Sequence, residues 1–452
     1  MGLASFLDLR VSVTEQFRLN ILNTTQTGLY LTYGKVTPWA NDAAPPNADS
    51  SIATVYDIWD NMIGGKQIGG GDFFQVIPRY DWVSGQSYFQ YDHSTPNLYE
   101  QPFYVVTSDN NVYKCIANNN GSVSTVKPTS VSPYIISETN DGYKWKYMYT
   151  ITNAEKTKFM TSNYIPVHYL YNDDASLQWQ VQTEAVPGAI NHIQLTNFGT
   201  NYTNANTIIV TVTGDGTGAL ASASVNNVSQ TISSINMLNP GQGYTYADIA
   251  ISDNPLTGGT GATARAIISP PGGHGSNPLY ELGASSIMIN PRLIYDESNV
   301  LPVTNDYRQI ALLQDPLLRG TSNAATNTAF LQAYTITAEG QNDFQEDEIV
   351  YQGFNLDTAT FRGTVVSWNN LTNKLLVINT KGTPTGSKLL YGKDSLTFRT
   401  VTSSTPGALS KWSGRILYVD NIKPITREFD QDRKSTRLNS SHTDISRMPS
   451  SA

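Results

Sequence analysis

In the segment DGYKWKYMYTI, residues 141–151, large apolar and polar side chains alternate with a period of two. That is the spacing of a β-strand, whose successive side chains point to opposite faces. Tyr143, Trp145, Tyr147 and Tyr149 share one face; Lys144, Lys146, Met148 and Thr150 share the other. Aromatic rings suit strands and bring large buried areas, so the pattern predicts a core strand and makes this stretch scaffold. FYVVT (103–107) and VYKCI (112–116) are two further strands. Ser108, Asp109, Asn110 and Asn111 between them are turn residues, which predicts a hairpin. Another strand is expected over 28–33. Helical spacing appears after Ser51, where Ile52, Val55, Trp59 and Met62 recur at three- and four-residue steps. Ser12 with Glu15, and Thr152 with Glu155, have the spacing of a capping box. They predict helices that begin at those points, the second ending near Met160.

Between 189 and 267 the pattern changes to short strands punctuated by glycine, and it repeats. Ile190, Gly199 and Tyr202 recur as Ile232, Gly241 and Tyr244, and Gly218-Ala219 recurs as Gly261-Ala262. Two copies of a strand–turn–strand unit follow, over 189–225 and 231–267, too few to stand as a free solenoid, so they should pack on each other or on a host domain. Gly214, Gly216 and Gly218 do not make a phosphate loop. ALASASV after them continues as a strand where that loop needs a helix, and tight β-turns are expected instead. A second small β-unit runs from about 344 to 400, with FRGTVVSW and KLLVINT joined by the Asn-rich turn 369–373.

The expected fold is therefore α+β, predominantly antiparallel β with a few short helices, in several domains with inserted β modules. The boundaries are 1–175 for an N-terminal α+β domain, 176–270 for the repeats, 271–335 for a continuation of the core, 336–405 for the small β module and 406–431 for a C-terminal strand. Residues 432–452, DRKSTRLNSSHTDISRMPSSA, break with all of this: basic, without an aromatic, without a strand period. They match the translation of a short-read sequencing adapter, with Thr443, Asp444 and Ile445 spanning the barcode, which implies a gene interrupted after Gln431. Leaving out its four basic residues (Arg433, Lys434, Arg437, Arg447) and two acidic ones (Asp432, Asp444) takes the formal charge from −8 to −10.

That acidity excludes a nucleic-acid binder, which needs a basic stripe to displace phosphate counterions. With 39% hydrophobic and only 15% charged residues, solubility rests on Asn, Thr, Ser, Gly and Tyr, the profile of an assembly protein. The single Cys115 excludes a disulfide framework and a cysteine-built zinc site. Its apolar strand makes it a buried structural thiol. No apolar run approaches the roughly 20 residues of a membrane span, no signal peptide opens the chain, and Phe6 stands where a myristoylation motif has Ser or Thr. The expectation is a chain made in a reducing cytoplasm and not inserted in a membrane.

Candidate chemistry is sparse. His93, His168, His192 and His274 lack metal-ligand spacing, and His442 belongs to the adapter-like tail. His274 sits in a Pro-Gly turn, where a turn role is expected. Asp81, Asp92 and the run Glu346, Asp347, Glu348 are the carboxylates a glycosidase reading would use; surface loop charge is the expected state of each. No catalytic, cofactor or metal site is predicted.

Several motifs, in order, resemble one family: the baseplate wedge proteins, gene-eight products, of T-even-like contractile-tailed phages (myoviruses). The most specific are VIPRYDW (76–82), similar to the family's VIPRxDW, and DGYKWKYMYTI, similar to its DGYxWxYLFxI. GLYLTYGKVTPW (28–39), VYKCI, NYIPV (163–167), YRQIALLQDPL (307–317) and SGRILYVDNIKPITREFDQ (413–431) support them. The repeats and the small β module have no counterpart in the T-even form, and the family's closing acidic strand after DQ is missing. The resemblance implies a non-enzymatic structural subunit that dimerises and joins other wedge proteins, in the virion tail baseplate after assembly in the host cytoplasm. Trp39, Pro78, Arg79, Trp82, Tyr143, Trp145 and Tyr147 are the candidate interface or structural residues; Trp39, Arg79 and Trp82 either anchor neighbours or brace their own domain. The alternative is a tail-associated receptor- or glycan-binding protein that stacks sugars on Tyr202 and Tyr244 of the repeats.

Overall fold

The computed structural model describes residues 6–22, 28–134, 136–253, 258–293, 306–425 and 436–437. Antiparallel β-sheet dominates, with short helices between strands, so the α+β expectation holds. The chain divides into two compact units: Met1–Thr14 with Phe74–Ile287, and Glu15–Phe73 with Met288–Ala452. Of the adapter-like tail only Thr436–Arg437 is described, paired with Arg292–Leu293; the remainder, and the end of the 406–431 segment, lie outside the described residues.

In the first unit a four-stranded sheet runs in the order Tyr104–Val106, Asn111–Asn118, Tyr143–Thr150, Ser137–Glu138. The hairpin turn closes with the Thr107 amide donating to the Asn111 carbonyl at 2.9 Å, and Asn110 takes the left-handed backbone that asparagine tolerates. The aromatic face of Tyr143–Thr150 does not meet a single cluster. Tyr143, Trp145 and Tyr147 pack with Tyr88, Tyr113 and Cys115, whereas Tyr149 packs with Ile77, Phe103 and Val112. A β-bulge between Val112 and Tyr113 falls at this divide, where the extra residue adds local twist. The middle of the opposite face is buried too: Lys146 and Met148 are enclosed, while Thr150 is exposed.

Thr152 and Glu155 cap the helix Asn153–Phe159 reciprocally, the Glu155 amide donating to Thr152 Oγ1 at 3.2 Å and the Thr152 amide to Glu155 Oε2 at 2.8 Å. The first helix departs from expectation. It spans Phe6–Leu22, so Ser12 and Glu15 are interior residues and not its cap. Val11, one residue before the expected cap, is fully buried in the core of the first unit; burying it requires helix upstream of Ser12.

The two glycine-rich copies form one six-stranded sheet, in the order Thr231–Gln242, Thr217–Asn226, Ile209–Gly214, Ala247–Ser252, Thr260–Ile268, Ile190–Thr200. The first strand of each copy pairs with the last strand of the other, and the two middle strands pair at the centre. Ile190, Ile193, Ile232 and Ile235 from the two outer strands share one core with Tyr202 and Tyr244. Glycines at equivalent places in the two copies, Gly199 and Gly259 around Tyr202 and Gly241 and Gly216 around Tyr244, make room for those tyrosines. A Cβ at Gly259 would lie 2.4 Å from the Tyr202 ring, and one at Gly216 would lie 2.4 Å from the Tyr244 ring. Both tyrosines are buried, which corrects the idea that they present rings to a glycan.

In the second unit a five-stranded sheet has the order Ala329–Leu331, Met62–Gln67, Leu29–Gly34, Tyr307–Gln314, Arg415–Ile425. The helix Ile52–Asn61 begins at Ser51, whose hydroxyl accepts from the Thr54 amide, and it buries Trp59 with Tyr30 and Phe330. Six strands between Tyr334 and Thr405 close into a barrel. Asn369 shapes its tight turn, accepting at Oδ1 from the amides of Leu371 (3.0 Å) and Thr372 (3.1 Å).

The glycine–tyrosine packing yields a paired prediction. Gly216→Ala and Gly259→Ala should each destabilise the repeat sheet by about 1–3 kcal/mol through overpacking, and by similar amounts because the sites are equivalent. Denaturant unfolding of both variants checks this; a loss at one site only would break the equivalence.

Candidate functional site

The segments VIPRYDW and DGYKWKYMYTI are joined by a hydrogen-bond relay centred on the buried Ser124. The Trp82 indole donates to Ser124 Oγ at 3.1 Å, and Ser124 Oγ donates to Asp141 Oδ2 at 3.1 Å. Asp141 Oδ2 also accepts the amides of Thr125 (2.7 Å) and Val126 (2.9 Å). Burial opposes ionisation of this carboxyl, but the hydrogen bonds from Thr139, Val126 and Thr125 outweigh it and hold it below the usual carboxylate range. Arg79 grips Asp81 with two nitrogens, at 2.9 and 3.0 Å, and donates a third hydrogen bond to the Thr161 carbonyl at 2.8 Å. Planar bidentate geometry of this kind needs arginine. Pro78, exposed, ends the Phe73–Pro78 strand; its carbonyl accepts from the Tyr104 hydroxyl at 2.8 Å.

Tyr143, Trp145 and Tyr147 are core residues, with Tyr143 stacked on Trp145 at 5.4 Å between ring centres. They offer no surface to a neighbour. Trp39, in the second unit, is half-buried; its indole donates to the Ile422 carbonyl at 3.1 Å and Lys35 Nζ lies 4.4 Å from its ring centre. The hydrogen bonds made by Trp39, Arg79 and Trp82 each lie within their own unit.

Sequence spacing missed the main polar feature of the first unit. Lys114 and Lys146 stand directly opposite each other on paired strands, and both are buried. Lys114 Nζ meets Glu281 Oε2 at 2.8 Å and lies 4.1 Å from the Tyr91 ring centre. Glu281 Oε1 accepts the amides of Gly275 (2.8 Å) and Asn277 (3.1 Å). Lys146 donates to the Pro133 carbonyl at 2.7 Å, and burial brings its pKa down to about 8. His274 is buried alongside, edge-on to Tyr91; burial, then Lys114 and Lys146, keep it neutral.

Two carboxylates assigned to the surface lie inside. Asp92 is enclosed and pairs with Arg265 through two nitrogens, fastening the repeat sheet to the loop at 91–97. Glu348 is enclosed in the barrel and accepts from the amides of Gln345 (2.7 Å), Asp394 (3.0 Å) and Ser395 (3.0 Å) and from the Ser395 hydroxyl (2.8 Å). Both are buried because loops fold around them as structural anchors. Glu346 and Asp347 stay exposed on the adjoining loop, and Asp81 is held by Arg79. Of the other groups, His168 pairs with Glu155 at 2.7 Å, His192 is half-buried with desolvation lowering its pKa to about 4, and burial pushes the Cys115 thiol up. A thiol so placed is unreactive.

These motifs are structural, and a comparison with known proteins points the same way. Part of the chain is similar to a phage baseplate protein. Over 87 residues it is 32% identical to baseplate wedge protein gp8 of Enterobacteria phage T4, covering 16% of this chain and 26% of that protein. The matched region is thus about a quarter of the relative's length. No family model matches the chain. The similarity supports a baseplate-related structural role, and no helix among the described residues is long and apolar enough to cross a membrane.

The lysine pair makes two predictions. Glu281→Gln leaves Lys114 buried without its counter-charge and should cost about 3–5 kcal/mol. Adding Lys114→Met should restore more than half of that, measured by denaturant unfolding. The second concerns pH. Below about 8 the folded unit carries a buried charge on Lys146; between about 8 and the ordinary 10.5 the unfolded chain holds a proton that the folded one has released. Stability therefore rises with pH through that window. Buried Tyr104 and Tyr149 act oppositely, since their raised pKa values make stability fall once unfolded tyrosine ionises near 10. Unfolding curves at pH 7, 9 and 11 should show a maximum at the middle value, and Lys146→Met should abolish the rise from 7 to 9.

Proposed function

We propose that this protein is a structural subunit of the baseplate wedge of a contractile phage tail, that it assembles with other wedge proteins, and that it acts as a homodimer without catalysis. The observation that carries this is the 32% identity over 87 residues to a baseplate wedge protein. Two arrangements support it. In the first unit, the two most specific motifs are coupled through Trp82, Ser124 and Asp141. In the second, the strands Leu29–Gly34, Tyr307–Gln314 and Arg415–Ile425, which belong to the three motifs that resemble the family there, are consecutive neighbours in one sheet. Residues that recur in a family because they hold the scaffold together are what a load-transmitting subunit needs. The repeats and the barrel are modules carried on that scaffold. In this reading the protein is in the host cytoplasm during assembly and in the virion tail afterwards.

Co-expression with the other wedge proteins of a related phage tests the proposal. The expected result is a co-purifying complex whose mass, by light scattering, holds two copies of this chain per wedge. A monomer that ignores those partners contradicts it.

A further inference from the structure

A cleft of about 840 Å³ opens between the repeat sheet and the aromatic core of the first unit, within the size range of small-molecule sites. Its walls include the rings of Tyr91, Tyr99 and Tyr280 and the Pro270–Pro271 pair. We propose that this cleft binds a neutral oligosaccharide, stacking a sugar face on Tyr99 and taking its hydroxyls on Tyr91, His93, Thr95 and Asn277.

The hydrogen-bonding groups there are unusually unoccupied. Tyr91 is 5% exposed, yet among the described residues its hydroxyl has no hydrogen-bond partner, and what remains accessible of it faces the cleft. His93 Nδ1 accepts the Ile268 amide at 3.2 Å, which puts the ring proton on Nε2 and leaves that N–H as a donor. Burial lowers its pKa, so the ring is neutral at pH 7. Asn277 Oδ1 is taken by the Leu279 amide at 3.1 Å, while its amide nitrogen has no partner among the described residues. The hydroxyls of Thr95 and Tyr99 are likewise unpartnered there. Hydroxyl, imidazole N–H and carboxamide around the exposed Tyr99 ring match a polyhydroxyl ring, which both donates and accepts and has apolar C–H faces.

The charges select a neutral ligand. Of the carboxylates, Asp92 is paired with Arg265 and Glu281 with Lys114, so neither calls for a cation. An added anion would meet Asp8, Asp92 and Glu281 with no lysine or arginine in the lining. The backbone selects against an extended peptide. The Gly243 amide donates to Pro187, Tyr244 to Gly188 and Ser269 to Ala189, at 2.9, 3.1 and 2.9 Å. These rim segments are already paired to each other, so this rim offers no open edge for strand addition. Tyr244 belongs to the buried core of the repeats, and the cleft uses the repeat sheet as a wall rather than as a stacking platform.

Saturation-transfer difference NMR on the isolated full chain, with maltohexaose, cellopentaose and chitotetraose as probes, tests this independently of wedge assembly. At least one probe should receive saturation. Tyr91→Phe, which deletes one hydroxyl without changing packing, and Tyr99→Ala should each weaken that probe about tenfold, as the loss of one hydrogen bond or one stacking face predicts. Absence of transfer to all three sugars overturns the proposal, as does a probe that binds both variants as tightly as the native chain. Saturation of a Gly-Pro-Pro repeat peptide in place of the sugars overturns it in favour of a peptide groove.

Discussion

Two lysines facing each other across adjacent strands, inside a core, is the arrangement on which the first unit depends. Lys114 and Lys146 would repel each other, and water cannot separate them. The fold survives because Glu281 is delivered from a short helix at residues 278–281, fixed by Asn277 and by the amides that Glu281 itself accepts. One carboxylate cannot neutralise two ammonium groups. The surplus is met by the Pro133 carbonyl and by a lowered proton affinity at Lys146. The arrangement stabilises only in a restricted sense, since an apolar pair of similar size would serve packing as well. What it enforces is register: a slip of the Tyr143–Thr150 strand would take Lys146 away from its carbonyl and Lys114 away from its carboxylate.

The same logic of buried polar fasteners recurs elsewhere. Asp92 and Arg265 join the repeat sheet to the 91–97 loop, Ser124 and Asp141 join two motifs, and Glu348 draws the Asp394–Ser395 loop into the barrel. In a chain with few charges, those placed inside are spent on geometry.

How much of this was legible follows from the range of each interaction. Ser51, Thr152 and Glu155 act within three residues, so their caps could be seen in the sequence, as could the 107–111 turn. The equivalence of Tyr202 and Tyr244 was visible as a repeat, and their burial explains which glycines must accompany them. The Ser12–Glu15 pattern misled because the i, i+3 spacing of a cap also occurs inside any helix. Lys114 with Glu281, and Asp92 with Arg265, span 167 and 173 residues. No local pattern marks such pairs, and a lysine in an alternating strand looks like a solvated one. The cleft was invisible for the same reason: its walls come from the 91–99 loop, the repeats and the 270–281 segment, which meet only in the folded unit.

The reciprocal pairing in the repeat sheet has a consequence for biosynthesis. Because the opening strand of the first copy has the closing strand of the second as its ladder partner among the described residues, that ladder must wait until nearly eighty more residues have left the ribosome. Neither copy can complete itself early. Such non-local closure folds slowly and leaves edges exposed meanwhile. During synthesis of this module the nascent chain is therefore open to pairing with another copy of itself.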